Sequence, residues 1–162
     1  MLEKKVADLL NDQINKEFYS AYLYLSMNTY FENRGLEGFA HWYHLQAQEE
    51  CEHAMKMYRF LLDEQMEVTL LPIAQPKEKF QNDMEVLQKA LKHEEYVTQC
   101  IHDIYNAAAA ANDHRSMQFL DWFVKEQAEE EKNANEIIHK YELYGKNEVS
   151  LYLLNQELGQ RK

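Results

Sequence analysis

Four long stretches of this chain repeat apolar side chains three and four residues apart, and each repeat is broken near its middle by a glutamate on the same face. The first, about Lys4 to Asn33, carries Val6, Leu10, Ile14, Glu17, Ala21, Tyr24 or Leu25, and Asn28. The second, about Glu37 to Glu64, carries Phe39, Trp42, Gln46, Glu50, His53, Met57 and Phe60. The third, about Phe80 to Ala111, carries Phe80, Met84, Leu87, Leu91, Glu94, Thr98, Ile101, Tyr105 and Ala108. The fourth, ending near Tyr144, carries Leu120, Phe123, Gln127, Glu130, Ala134, Ile137 and Tyr141. A 3.6-residue period gathers such positions on one face, and a helix turns that face to the core. The pattern predicts an all-α four-helix bundle in which every helix aims one carboxylate inward.

The breaks between stretches fit this reading. Asn33-Arg34-Gly35 supplies the glycine that ends a helix in a left-handed residue, so the first two helices are antiparallel neighbours. Asn112-Asp113-His114 gives a turn in which the Asp113 carboxylate caps the fourth helix. Gly145-Lys146-Asn147 precedes a short fifth helix, about Glu148 to Leu158, whose Val149, Tyr152, Leu153 and Leu154 are more than so short a helix can bury alone; they are expected to meet other subunits. Both prolines, Pro72 and Pro76, fall between Gln65 and Lys79, where the period lapses. At roughly 3.3 to 3.6 Å per extended residue that segment can run the length of a helix, as in bundles with one long crossover. With only 4 Gly and 2 Pro in 162 residues, a single domain of long helices spanning residues 1–162 is the expectation.

Counting from the turns puts the four glutamates at one height. Glu17 lies about 18 residues before Gly35 and Glu50 about 15 after it, while Glu94 and Glu130 each lie about 18 from Asn112. His53 stands one helical turn from Glu50. Four carboxylates unpaired in one small apolar volume would each cost several kcal/mol, so a cation is required among them. Oxygen-rich ligation with one imidazole suits iron or manganese better than a thiolate site for structural zinc, and two irons are expected because a shared carboxylate can bridge two ions.

The remaining composition narrows the partners. A net charge of -11 argues against nucleic acid and anionic membrane surfaces, both of which need a basic footprint. No apolar run reaches the roughly 20 residues that span a bilayer, and Met1-Leu2-Glu3-Lys4-Lys5 does not start like a secretory signal, so a cytoplasmic protein is expected. Cys51 and Cys100 are far apart within helices and are expected to be structural thiols in a reducing compartment.

Taken together, Glu17 and Tyr24 in the first helix, Glu49-Glu50-x-x-His53 in the second, Glu94 in the third and Glu126-Gln127-x-Glu129-Glu130 in the fourth make the chain resemble a bacterial non-haem ferritin over essentially its whole length. The resemblance implies a ferritin-like bundle with its crossover between the second and third helices, and a homo-oligomeric shell of 24 subunits. It implies a ferroxidase that oxidises Fe(II) with O2 or H2O2 and stores the product as ferric oxyhydroxide. On matching positions, Glu17, Glu50 and His53 would hold one iron, and Glu50, Glu94 and Glu130 the other, with Glu50 as the bridge. Gln127 would orient ligands or solvent, and Tyr24 would be the redox-capable phenol beside the pair. Glu49, Glu126 and Glu129, with Glu130, would resemble a third iron site.

Two departures bear on close relatives. Bacterioferritin-like chains repeat Glu-x-x-His in the fourth helix, where Asn133 follows Glu130 here, and they have a haem-ligating Met where this chain has Glu52; no haem is expected. A rubrerythrin-type oxygenase or peroxidase would add a second bundle histidine and a CxxC iron domain, which the sequence lacks. A non-enzymatic subunit of the light-chain kind would lack Glu17, Glu50 or His53, and all three are present.

Overall fold

The computed structural model describes residues 2–76 and 79–162. Among them are five helices: α1 (Lys4–Asn33), α2 (Glu37–Asp63), α3 (Asp83–Ala110), α4 (His114–Tyr144) and α5 (Glu148–Leu158). α1 packs on α2 and on α3, α3 packs on α4, and α5 lies against α2 and α4. The expectation of four long helices and a short fifth is met, with α3 starting later than the periodicity suggested. Phe80 stays outside it because Asn82 caps the helix, accepting from Glu85 N at 2.9 Å while Glu85 accepts from Gln81 N at 2.6 Å.

Three of the helices end in the same way. Gly35 (φ 71°), Gln65 (φ 60°) and Asn112 (φ 54°) are left-handed, and the next residue's amide donates to the carbonyl five residues back: Leu36 to Phe31, Met66 to Leu61, Asp113 to Ala108. This closure satisfies carbonyls that the helix leaves orphaned. At α4 the expected cap is present, with Asp113 Oδ1 accepting from Ser116 N at 3.1 Å. At α2 no local side chain caps the start. Asn155 of α5 supplies the acceptor instead, its Oδ1 taking Gly38 N–H at 2.8 Å and Phe39 N–H at 3.2 Å.

The connection from α2 to α3 follows α1. Asn11 exchanges two hydrogen bonds with the backbone of Thr69, and Asn15 Nδ2 donates to Pro72 O at 2.9 Å. Two exposed amides thus hold an extended segment that buries little; Leu70 and Leu71 remain exposed. The part of the expected crossover at residues 77 and 78 lies outside the described residues.

The buried faces refine the predicted stripes. On α1 the choice falls on Tyr24, 2 % exposed, over Leu25 at 43 %. On α2, Tyr43 and Leu61 are buried whereas Trp42 and Phe60 are half-buried. On α3 the core takes Val86, Ala90, Val97 and Ile104, and leaves Met84, Leu91, Thr98 and Tyr105 half-buried. A helix touching two neighbours needs a stripe wider than a strict three-four alternation marks. The core divides in two: one cluster gathers Leu10, Met57, Ile101 and Phe123, the other Phe31, Phe39, Val86 and Ile137.

Asp83, a second buried charge on α3 that the periodicity did not mark, joins three helices at the Gly35 end. It accepts from Arg34 Nε (2.9 Å) and Nη2 (3.0 Å), from Tyr30 OH (2.8 Å) and from Tyr141 OH (2.8 Å). Burial alone would raise its pKa, but these donors hold it below the ordinary carboxylate value. A depressed folded pKa gives stability that is present above the unfolded pKa and lost as pH falls through the folded one. Asp83→Ala is expected to lower stability at pH 7 by about 2 kcal/mol or more, since it leaves two phenols and a guanidinium without their acceptor. Denaturant unfolding at pH 7 and pH 3 checks this: the gap between wild type and variant should narrow in acid.

Candidate metal centre

Between the two halves of the core lies a layer of polar side chains. α1 contributes Glu17, α2 Glu50 and His53, α3 Glu94, and α4 Gln127 and Glu130, all 5 % exposed or less. The counting argument from the turns therefore holds: all four helices bring a carboxylate to one level. His53 Nδ1 lies 3.4 Å from Glu50 Oε2 and 3.9 Å from Glu17 Oε2. One ligand atom from each of Glu17, Glu50 and His53 falls within 4.8 Å of the others. A second group on the same imidazole joins His53, Glu126 and Glu130, with His53 Nε2 4.0 Å from Glu126 Oε1.

Two atoms facing the first group have no hydrogen-bond partner although fully buried: Glu17 Oε2 and His53 Nδ1. Buried polar atoms are rarely left unmet, because the desolvation of each costs about 1 to 3 kcal/mol. A cation seated between them would satisfy both, so the residues present fit a metal ion. The outer atoms are already held: Gln13 Nε2 donates to Glu17 Oε1 at 2.8 Å, and Gln46 Nε2 to Glu130 Oε2 at 2.8 Å and to Glu50 Oε1 at 3.3 Å. Glu94 accepts from Tyr24 OH and, at 3.1 Å, from Gln127 Nε2. It belongs to neither three-residue group, but a carboxylate has about four lone-pair sites, so these two bonds leave it acceptor capacity.

The expected third site is less assembled than the pair. Glu126 joins His53 and Glu130, whereas Glu49 is ion-paired with Arg161 at 2.6 Å and Glu129 is exposed on α4. Tyr24 stands where expected, bonded to Glu94 and stacked on Tyr43 at 5.8 Å between ring centroids. Four other residues at the site escaped the sequence reading as functional groups. Gln13 and Gln46 each lie one turn before a site glutamate, a visible signal. Trp122, edge-on to the His53 ring at 5.4 Å, and Arg161 left none. The thiols also differ from expectation: Cys51 is exposed on α2 and Cys100 is half-buried, so Cys51 packs no core.

Burial and mutual repulsion make these carboxyls hold their protons while no cation is bound. Glu17 and Glu50 are pushed well up, first by burial and then by Glu50 and Glu94 respectively. Glu94 rises to about 7, chiefly through burial, and Glu130 to about 8, through burial and then the charge of Glu94. Raised folded values give stability that is full below the ordinary carboxyl range and lost as pH rises through about 7 and about 8. The metal-free protein should therefore melt at progressively lower temperature from pH 6 to pH 9, and Glu130→Gln should flatten that slope. Calorimetric scans across this range test it; a wild-type melting temperature that does not fall would contradict the electrostatics.

Comparison with known proteins shows the family. A family model for the ferritin-like domain matches residues 7–144. A bacterial non-heme ferritin of Campylobacter jejuni is 36% identical over 156 residues, 96% of this chain and 93% of the relative. One from Staphylococcus aureus is 33% identical over 161 residues, 99% and 97% of the two. Among solved structures, an open pore ferritin from the hyperthermophilic archaeon Archaeoglobus fulgidus superposes with a TM-score of 0.97 at 39% identity, covering 100% of both chains. The domain match takes in all but the first turn of α1 and the whole of α2, α3 and α4, and the relatives align almost end to end: the chain belongs to the ferritin family.

Proposed function

We propose that this protein is an iron store that oxidises Fe(II) at a di-iron centre within each subunit and deposits the product as ferric oxyhydroxide inside a cage of 24 copies. The observation that carries the reading is the pair of partnerless buried atoms, Glu17 Oε2 and His53 Nδ1, facing Glu50 within reach of a single cation. Glu17, Glu50 and His53 hold the first Fe(II). Glu50, Glu94 and Glu130 hold the second, with Glu50 shared.

The chemistry follows from the donor set. Anionic oxygen favours Fe(III) over Fe(II), since the harder and more highly charged ion gains more from it, so these ligands make electron loss easier. Two neighbouring Fe(II) ions release two electrons together. With two protons these reduce O2 to H2O2, or H2O2 to two waters, and the protons that Fe(II) displaces from the glutamates are close at hand. Gln127 and Tyr24 hold Glu94 in place, and Gln46 and Gln13 do the same for Glu130, Glu50 and Glu17. Glu126, with Glu129 and Glu49, forms the acidic route by which iron leaves the pair.

Assembly is supported by an apolar surface that a single subunit leaves bare. On α5, Val149, Tyr152 and Leu153 are at least 60 % exposed, beside exposed Leu143 and Tyr144. Contiguous apolar surface of this kind marks contact with another copy. No helix of the described residues is long and apolar enough to cross a membrane, and we read the protein as cytoplasmic and free of haem.

Light scattering together with stopped-flow oxidation tests the proposal. Two Fe(II) per subunit added to metal-free protein in air should be oxidised in one fast phase at one O2 per two irons, in a particle of 24 subunits. A monomer, or an oxidation no faster than in protein-free buffer, would overturn it.

A further inference from the structure

After α5 the chain folds back onto α2, and its penultimate residue reaches the metal centre. The Arg161 guanidinium lies 4.2 Å over the Trp42 ring, and its side chain is only 13% exposed. Its Nη1 donates to Trp42 O at 3.2 Å and to Gln46 Oε1 at 3.0 Å, and its Nη2 to Glu49 Oε2 at 2.6 Å. The Arg161 carbonyl accepts from His41 Nε2 at 2.8 Å. A side chain that meets a ring face, a carbonyl, an amide and a carboxylate at once is fixed, not a surface arginine swinging free.

Two consequences follow from the chemistry of a guanidinium, which only donates. First, it decides which way the Gln46 amide points. With Oε1 committed to Arg161, the NH2 must face inward, where it donates to Glu130 and Glu50. Turned over, the amide would set its oxygen against two carboxylates. Second, the guanidinium occupies the Glu49 carboxylate with a positive charge. Glu49 is a member of the expected third site, and any cation binding there must displace Arg161 or share Glu49 with it.

We propose that Arg161 is a positioning residue of the metal centre, standing at Glu49 in place of a third cation and, through Gln46, holding Glu50 and Glu130 in the orientation that binds the pair. The identity of the bound ions rests on the function proposed above; the competition itself applies to any divalent cation. The short C-terminal segment thus weakens the outer site and strengthens the inner one.

Anaerobic calorimetric titration of the assembled, metal-free protein with Co(II) at pH 7 separates these effects, with the Co(II) absorption band as a second readout. In Arg161→Gln the weakest site should tighten by about tenfold, and the tighter sites should weaken by about tenfold, the low end of what a group that orients a metal ligand contributes, because Arg161 acts on the ligands through Gln46. Adding Glu49→Gln to that variant should abolish the gain at the weak site and leave the loss at the tight ones. Arg161→Lys keeps a charge for Glu49 but lacks the fork that also reaches Gln46, so it should restore the weak site and not the tight ones. Arg161→Gln titrating like wild type overturns the proposal. If that variant does not assemble, Arg161→Lys decides: tight sites as strong as wild type would overturn it. A wild-type protein that binds no divalent cation would count against the proposed function itself, a distinct result.

Discussion

Replacing Glu50 by alanine is expected to slow the initial oxidation of two Fe(II) per subunit by more than about a hundredfold. Removing a group that merely orients a metal ligand typically lowers metal affinity or activity by about 10 to 100-fold, and Glu50 is proposed to touch both ions. Its position supports that weight: one oxygen faces His53 and Glu17, and the other is held by Gln46, which also holds Glu130. Glu130→Ala removes a ligand to one ion only and should be the milder change. Folding stability should move the other way. The Glu50 carboxyl is repelled by Glu94 and Glu130, so without metal the alanine variant should melt at or above the wild-type temperature. A Glu50→Ala protein that oxidises its first two irons at the wild-type rate would remove the bridge from the mechanism.

Of the four glycines, Gly38 is where an added methyl group, Gly38→Ala, should produce the largest structural effect. A Cβ at this position would sit 1.7 Å from the backbone oxygen of Asn155 and 2.6 Å from its carbonyl carbon. These are main-chain atoms of α5 that cannot rotate aside, so the helix itself must lift. With it goes the Asn155 side chain that caps α2, stripping Gly38 and Phe39 of their acceptor. Overpacking of a core commonly costs about 1 to 3 kcal/mol, and the lost cap adds about 1. We expect a loss of about 3 kcal/mol or more, concentrated in α5. Hydrogen exchange should show α5 amides unprotected while α1 and α3 stay protected. The same variant should mimic Arg161→Gln in cation binding, because Arg161 follows α5. Unchanged exchange in α5 would mean the contact can relax, contrary to the rigidity argued here.

How far these features could be read in advance depended on whether a residue's signal was local. Asp113 and Gly35 act within one turn of their own helix, and both behave as their surroundings in sequence require. The common height of Glu17, Glu50, Glu94 and Glu130 needed only helix rise and turn positions, so counting sufficed. The face of α3 was harder, because Val97 and Ile104 owe their burial to a helix lodged between two neighbours, and a single-file stripe leaves out one of them. Asp83 reads as an exposed first-turn acid until Arg34, Tyr30 and Tyr141 arrive from 49 to 58 residues away. Arg161 lies beyond the last helix and outside every period. Its hold on Glu49 arises from the docking of α5 on α2, which no local pattern announces.

The polar layer across the middle of the bundle does more than receive cations. It splits the apolar interior into an upper and a lower half, and each helix has one rung in that layer. Two amphipathic helices packed through leucines and phenylalanines alone could slide past each other by a turn, about 5.4 Å, and still bury comparable oily surface. Here a slide of α3 would carry Glu94 away from Tyr24 on α1 and Gln127 on α4 and press its carboxyl into hydrocarbon without a partner, at about 1 to 3 kcal/mol if it stays protonated and more if it is charged. The chain thus keeps its helices in step by the same residues that its interior would otherwise exclude, and a version with leucine at all four rungs should gain stability while losing its single alignment.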